Sequence, residues 1–140
     1  MKKLISGLVF AFAISTGIAQ NLSVSIEDID VKEGYFFIAV FDSQEAFDKK
    51  ETPHKKRINA SEIHKPIIFK GLPKGKYAVS VFYDTNNNKQ LDLKASGIPN
   101  EPFGLSNNPG LGKPRFEKIS FPFEKDQHLV IKMRTTKPAN

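Results

Sequence analysis

The sequence predicts an all-β protein, a single antiparallel Greek-key β-sandwich of about seven strands. Most of the chain after residue 20 alternates apolar and polar residues with a period of two, which is the pattern of strands that bury one face. Only one segment has a helical pattern, and it is long enough for one or two turns. Many short strands separated by turn residues, with few helices, are typical of a sandwich.

The first 19 residues have the pattern of a signal peptide. Two lysines precede an apolar stretch over residues 4–14, and Gly17 and Ala19 are the small residues expected before a cleavage site. The apolar stretch is shorter than the roughly 20 residues that cross a bilayer, so we expect no membrane span. We predict cleavage after Ala19, export to the periplasm or the medium, and one domain over residues 20–140.

Six segments have strand patterns. They are residues 21–29, 34–42, 65–70, 76–84, 115–123 and 128–136. The first places Leu22, Val24 and Ile26 on one face, and the second, GYFFIAVFD, is nearly continuous in apolar residues, as a central strand would be. Between the second and third segments, DSQEAFDKK predicts a short helix with Ser43 or the preceding aspartate as its N-cap.

The segment FKGLPKGKY, residues 69–77, predicts a hairpin between the third and fourth strand segments. Pro73 favours the first central position of a turn, and Gly75 supplies the left-handed one. Phe69 and Tyr77 would then flank the hairpin. The spacing resembles the hairpin of prealbumin-like (transthyretin-like) sandwiches, and this resemblance implies an accessory or scaffold module.

Charge and cysteine content narrow the function. The chain has no cysteine, which excludes thiol catalysis and cysteine metal sites. Its formal net charge is +6, and five of its basic residues lie in KKETPHKKR, residues 49–57. The sequence favours a solvated loop there over a site for an anionic surface, because no apolar or aromatic stripe accompanies the charge. Nucleic acid is not expected as a partner of an exported protein.

Two further motifs carry a more specific resemblance. D-x-N-x-N-x-x-L-D covers residues 84–92, and G-I-P-x-E-x-x-G-x-S-N-N covers residues 97–108. With these motifs the chain resembles a bacterial exported family known as domain of unknown function 2141, over about residues 22–133. Members of that family usually carry glycine where this chain has Lys89. The resemblance implies a small exported β-sandwich and no known activity.

The first motif has the ligand spacing of a calcium loop. Its oxygen-bearing residues take positions 1, 3, 5, 7 and 9 of an EF-hand-like pattern without the helices. They are Asp84, Asn86, Asn88, Gln90 through its carbonyl, and Asp92. Position 12 is Ala95, so we predict that Glu101 completes a weak calcium site. The alternative is a turn-rich loop in which the asparagines bond their own backbone.

The sequence predicts no enzyme, because its acidic residues suit metal binding better than an acid–base pair. We predict a monomeric, non-catalytic accessory or interaction module whose partner is an envelope protein or a glycan. The alternative is a carbohydrate-binding module that uses the loop face, with stacking candidates at Tyr35, Tyr77, Tyr83 and Phe103. The Gly/Pro-rich stretch over residues 96–114 is either a functional loop or a cover for a sheet edge.

Overall fold

Alternating apolar and polar residues form eight strands in the computed structural model, which describes residues 18–110 and 112–135. The strands are β1 (Gln20–Glu27), β2 (Tyr35–Phe41), β3 (His54–Asn59), β4 (Ile67–Leu72), β5 (Gly75–Asp84), β6 (Phe103–Leu105), β7 (Phe121–Phe123) and β8 (Gln127–Lys132). Two short helices, α1 (Gln44–Lys49) and α2 (Phe116–Ile119), and a 3₁₀ turn (Ala60–Glu62) connect them. The predicted signal peptide falls mostly on residues 1–17, which lie outside the described residues.

The strands form two sheets that enclose one core, which confirms the all-β sandwich. One sheet has the order β4-β1-β8, and the other has the order β3-β2-β5-β6, with β7 pairing the other end of β5. Their facing side chains are buried, and they include Leu22, Val24, Phe36, Ile38, Val40, Val79, Val81, Phe123 and Ile131. The pairing of β1 with β8 is parallel, although the sequence predicted antiparallel pairing. The difference arises because β8 crosses over from β7 in the other sheet, so its direction is not set by a hairpin with β1.

The predicted hairpin at residues 69–77 is wrong, because this segment crosses from one sheet to the other. β4 pairs with β1, whereas β5 pairs with β2. Phe69 on β4 and Tyr77 on β5 are both buried in the core. They enter it from different sheets. The left-handed residue is Gly71, at φ +74°, and not Gly75. The Tyr77 hydroxyl donates to the carbonyl of Pro73 at 2.7 Å, which ties the crossover to β5.

Three other segments differ from the sequence prediction. Residues 54–59 form β3 instead of a solvated loop, and β6 lies within the long Gly/Pro-rich stretch. Residues 116–119 form α2, although the sequence predicted a strand there. The sequence of β3, HKKRIN, has no clear alternation of apolar and polar residues. The reason is that β3 is an edge strand and most of its side chains are exposed to solvent. In α2, Ile119 is fully buried while the two residues before it are exposed, a pattern too short to separate from strand alternation.

The predicted short helix is confirmed as α1. Ser43 is its N-cap, and the Ser43 hydroxyl accepts a hydrogen bond from the Ala46 N–H at 3.1 Å. Phe47 packs edge-to-face on Phe41, with ring centroids 5.4 Å apart, so the helix is held on the outer face of the five-stranded sheet. Among the described residues, no helix has the length and apolar character needed to cross a membrane.

Candidate metal site

The register of β5 and β6 brings two carboxylates of the predicted site together. Phe82 pairs with Phe103, and the Tyr83 N–H donates to the carbonyl of Pro102 at 2.8 Å. Continuing this antiparallel register by one more residue places Asp84 opposite Glu101. Like charges directly opposite each other on neighbouring strands are destabilising, so this pair needs a compensating group.

Both carboxylates are buried, and each has one oxygen without a partner. Asp84 is fully buried, and its Oδ2 accepts from the Lys89 N–H at 2.9 Å. Glu101 is 4% exposed, and its Oε2 accepts from the Asp92 N–H at 3.3 Å. The other oxygens, Asp84 Oδ1 and Glu101 Oε1, accept no hydrogen bond in the described protein. An unpaired buried carboxylate is costly, so these oxygens need a proton, water or a cation.

Burial raises the pKa of Glu101 above its ordinary value. The backbone N–H groups of Asp92 and Thr85 both lower this pKa by interacting with the carboxylate, whereas the negative charges of Asp84 and Asp92 raise it further. Within the described ranges the only salt bridge is between Lys49 and Glu45 on α1. The three carboxylates of the loop therefore have no basic side chain of a described residue within 4.0 Å to offset their charge.

The asparagines of the loop make the turn contacts that the sequence left open as an alternative. The Nδ2 groups of Asn86 and Asn88 donate to the carboxylate of Asp92, both at 2.8 Å. Their Oδ1 atoms accept from the N–H groups of Asn88 and Gln90, at 3.2 and 3.0 Å. In the described ranges no three Asp, Glu or His side chains stand close enough together to hold a metal ion. The carboxylate of Asp92 is thus bonded to amide groups, and the three described carboxylates do not converge on one point.

The loop backbone is left-handed at two non-glycine residues, Asn87 at φ +57° and Lys89 at φ +63°. A left-handed residue with a Cβ costs roughly 1–2 kcal/mol. At Lys89 this conformation accompanies the hydrogen bond from its N–H to Asp84. The loop therefore has a backbone suited to glycine at the position where the chain carries lysine.

A small hairpin over residues 92–100 returns the chain to the site. The Lys94 N–H donates to the carbonyl of Ile98 at 2.8 Å, and the Asn100 N–H donates to that of Asp92 at 2.7 Å. Gly97 adopts φ +80° at its turn. Because this hairpin connects the two sequence motifs, it is what places Glu101 beside β5. The first part of the Gly/Pro-rich stretch therefore belongs to the candidate site.

Sequence reasoning missed two residues that support the loop. Gly34 has φ +122°, and a Cβ there would lie 2.5 Å from the carbonyl oxygen of Asp84. Arg57 donates from Nη2 to Oδ1 of Asn87 at 3.0 Å, while its guanidinium lies 3.4 Å from the ring centre of Tyr35. A glycine directly before a strand was a weak signal for the first. The second contact spans 30 residues, and no local pattern indicates it.

The residues predicted for sugar stacking do not form a platform. Tyr77 and Tyr83 are buried in the core, and Tyr83 stacks on Phe36 with ring centroids 4.4 Å apart. The ring of Tyr35 lies under the guanidinium of Arg57. Tyr77 and Tyr83 therefore present no ring face to a sugar, and Tyr35 has one of its two faces covered.

Comparison with known proteins gives one match. The sequence model of a family described as "Uncharacterized protein conserved in bacteria (DUF2141)" matches residues 24–131. No curated protein and no solved structure matches the chain. The matched range contains both sequence motifs and every residue of the candidate site.

Proposed function

We propose that this chain, which belongs to the DUF2141 family of uncharacterized bacterial proteins, is a non-catalytic β-sandwich module whose Asp/Asn loop binds one calcium ion. One observation carries the proposal: Asp84 Oδ1 at the end of β5 and Glu101 Oε1 in the segment before β6 are buried acceptors without a partner. A divalent cation between them would supply the missing partner to both oxygens and offset their charges. No basic side chain does so in the described residues.

The residues of the loop fit the donor chemistry of calcium, which takes six to eight oxygen ligands. The full set is Asp84, Asn86, Asn88, the backbone carbonyl of Gln90, Asp92 and Glu101. In the proposed complex Asp92 leaves the two amide groups and turns towards the buried pair, and the amides rotate so that Oδ1 faces the ion. The irregular loop suits calcium better than magnesium, which demands a near-ideal octahedron.

The position of the loop indicates a structural role for the ion and not a catalytic one. Asp84 and Glu101 lie beneath the loop and are almost inaccessible to a substrate. An ion bound there would join the end of β5 to the segment that leads into β6. We infer an accessory or interaction module of the cell envelope that calcium stabilises. A glycan-binding role has less support, because two of the four aromatic candidates are buried and Arg57 covers one face of a third.

We propose export as part of this function, and the expected mature N-terminus is Gln20. The strand β1 begins at Gln20, so cleavage after Ala19 would leave β1 whole. Intact mass of the protein recovered from the periplasm or the medium should correspond to a chain that begins at Gln20. Recovery of only the full-length chain, from the cytosol, would contradict export.

Calcium is expected to stabilise the folded protein. With a dissociation constant of about 1 mM and about 10 mM calcium, the free energy of unfolding should rise by roughly 1.4 kcal/mol. For a domain of this size the melting temperature should rise by about 3–6 °C and fall back when a chelator is added. Thermal unfolding followed by circular dichroism measures both. Identical melting with calcium and with chelator would show that the asparagines only form turns.

Two controls separate ion binding from general effects of salt. Magnesium at the same concentration should raise the melting temperature much less, because it screens surface charge equally but fits the loop poorly. Lys89→Gly should keep or strengthen the calcium effect, since glycine adopts the left-handed conformation of residue 89 without strain. If Lys89→Gly abolished the calcium effect, the lysine side chain itself would be required, and the proposed ligand set would be wrong.

A further inference from the structure

The strand β3 is an edge of the five-stranded sheet. It pairs with β2 on one side, and in the described part of the chain no other strand pairs with it. About half of the N–H and C=O groups of an edge strand point away from its neighbour. The nearby edge strand β4 differs, because its Ile68 carbonyl accepts a hydrogen bond from Lys56 Nζ at 2.6 Å. Among the described residues, no second strand covers the backbone edge of β3.

The outward side chains of β3 are cations without counter-ions. Lys55 and Arg57 are exposed, and neither has a carboxylate within 4.0 Å among the described residues. The register places Arg57, Phe37, Phe82 and Phe103 in one row across four strands of the sheet. The sequence predicted that no aromatic stripe accompanies this basic segment. The strand register shows that this prediction is wrong. Strand pairing supplies aromatic residues that are distant in the sequence.

The ring geometry on this face favours one class of partner. Phe37 and Phe82 stack on each other at 4.9 Å with an interplanar angle of 6°, and the guanidinium of Arg57 covers Tyr35. One face of each of these rings is therefore covered by a neighbour, which reduces the ring surface on which a sugar or a nucleobase could stack. In the described part of the chain the exposed large apolar residues are Ile18, Val31, Ile68, Leu93, Ile98 and Val130, and none of them belongs to β2, β3, β5 or β6. Aromatic residues with arginine, beside a free strand edge, are typical of polypeptide recognition.

We propose that β3 is the docking edge for an extended acidic segment of another polypeptide. The segment would add a strand beside β3, with acidic side chains opposite Lys55 and Arg57 on the outer face. Its alternate side chains would lie beside Ile58, which is half-buried and points to the core side of β3. The expected partner sequence therefore alternates acidic and aliphatic residues. This proposal does not depend on calcium binding.

Charge also disfavours pairing of β3 with β3 of a second copy. Such a pair would bring Lys55 and Arg57 of one chain against the same cations of the other. Edge strands that carry lysine are protected against self-association in this way. An acidic strand meets the opposite condition, because each of its carboxylates faces a cation. Lys55 and Arg57 thus disfavour a second copy of the chain and favour an acidic strand.

The test is a nuclear magnetic resonance titration of the folded chain with a short synthetic peptide in which glutamate alternates with valine. Amide signals of residues 54–59 should shift with a dissociation constant of about 10–500 μM at low salt, both with calcium and with chelator. Hydrogen exchange of the outward-pointing β3 amides should slow. Lys55→Glu should weaken the binding about tenfold or more, while Lys76→Glu, an exposed charge reversal on β5, should not.

Four results would overturn the proposal. The first is no shift in β3 with about 1 mM peptide, which would leave the cations with only the role of keeping the edge unpaired. The second is equal binding of a peptide with lysine in place of glutamate. The third is equal or tighter binding of an acidic polysaccharide such as alginate with the same shifts, which would assign the face to a glycan. The fourth is a concentration-dependent dimer through β3 in analytical ultracentrifugation.

Discussion

Gly34→Ala is expected to lower the free energy of unfolding by about 3 kcal/mol or more. Two costs combine at this position. The backbone has φ +122°, a conformation that residues with a Cβ rarely adopt, and the added Cβ would lie 2.5 Å from the carbonyl oxygen of Asp84. That atom belongs to the backbone at the end of β5, so it cannot rotate away as a flexible side chain would. Thermal unfolding should show a fall in melting temperature of roughly 10 °C or more.

The matched control is Gly71→Ala. Gly71 also has a positive φ, +74°, but an added Cβ there has no atom within 4 Å. Only the backbone strain applies, so the loss should be about 1 kcal/mol. Equal effects of the two substitutions would mean that strain alone acts at Gly34. A loss below about 1 kcal/mol at Gly34 would contradict the close approach of β2 to the end of β5.

The strands with a regular alternation could be predicted from sequence, since each carries its own signal. GYFFIAVFD formed β2 and KYAVSVFYD formed β5, because a buried strand needs the same residue types wherever its neighbours lie. The connection between β4 and β5 could not be predicted in the same way. Pro73 and a nearby glycine are compatible with either a hairpin or a crossover. The crossover forms because β4 pairs with β1 in one sheet and β5 pairs with β2 in the other. Pairing partners are a property of the whole sheet.

The candidate site also combines features that the sequence predicts with features that depend on strand pairing. The spacing from Asp84 to Asp92 lies within one loop and can be read from the sequence. The proximity of Asp84 and Glu101 follows from the register of β5 and β6. From the spacing of residues in the motif alone, the return of Glu101 to the loop was only a hypothesis. That both carboxylates are buried, each with an unpartnered oxygen, is a product of packing and has no sequence signal. Ion binding itself stays a prediction.

Asp84→Asn is expected to stabilise the protein in chelator and to remove its stabilisation by calcium. In chelator, the substitution removes one of two neighbouring buried carboxylates, Asp84 at the end of β5 and Glu101 before β6, while the amide oxygen still accepts from the Lys89 N–H. The free energy of unfolding should therefore rise by about 1 kcal/mol or more. With calcium, the variant lacks a charged ligand and should lose the roughly 1.4 kcal/mol that the ion contributes to the wild type. The measurement is thermal unfolding of both proteins in both conditions.

A surface substitution provides the control for the change in net charge. Glu124 is exposed and follows Phe123, which pairs with Gly75 at the opposite end of β5 from Asp84. Glu124→Gln should leave the calcium effect intact and change stability in chelator by no more than about 0.5 kcal/mol. Destabilisation of Asp84→Asn in chelator would show that the carboxylate pair is already satisfied by a proton or by water. A carboxylate pair that already has a proton or a water molecule as its partner does not need a cation. Calcium binding at this loop would then lose its main structural support.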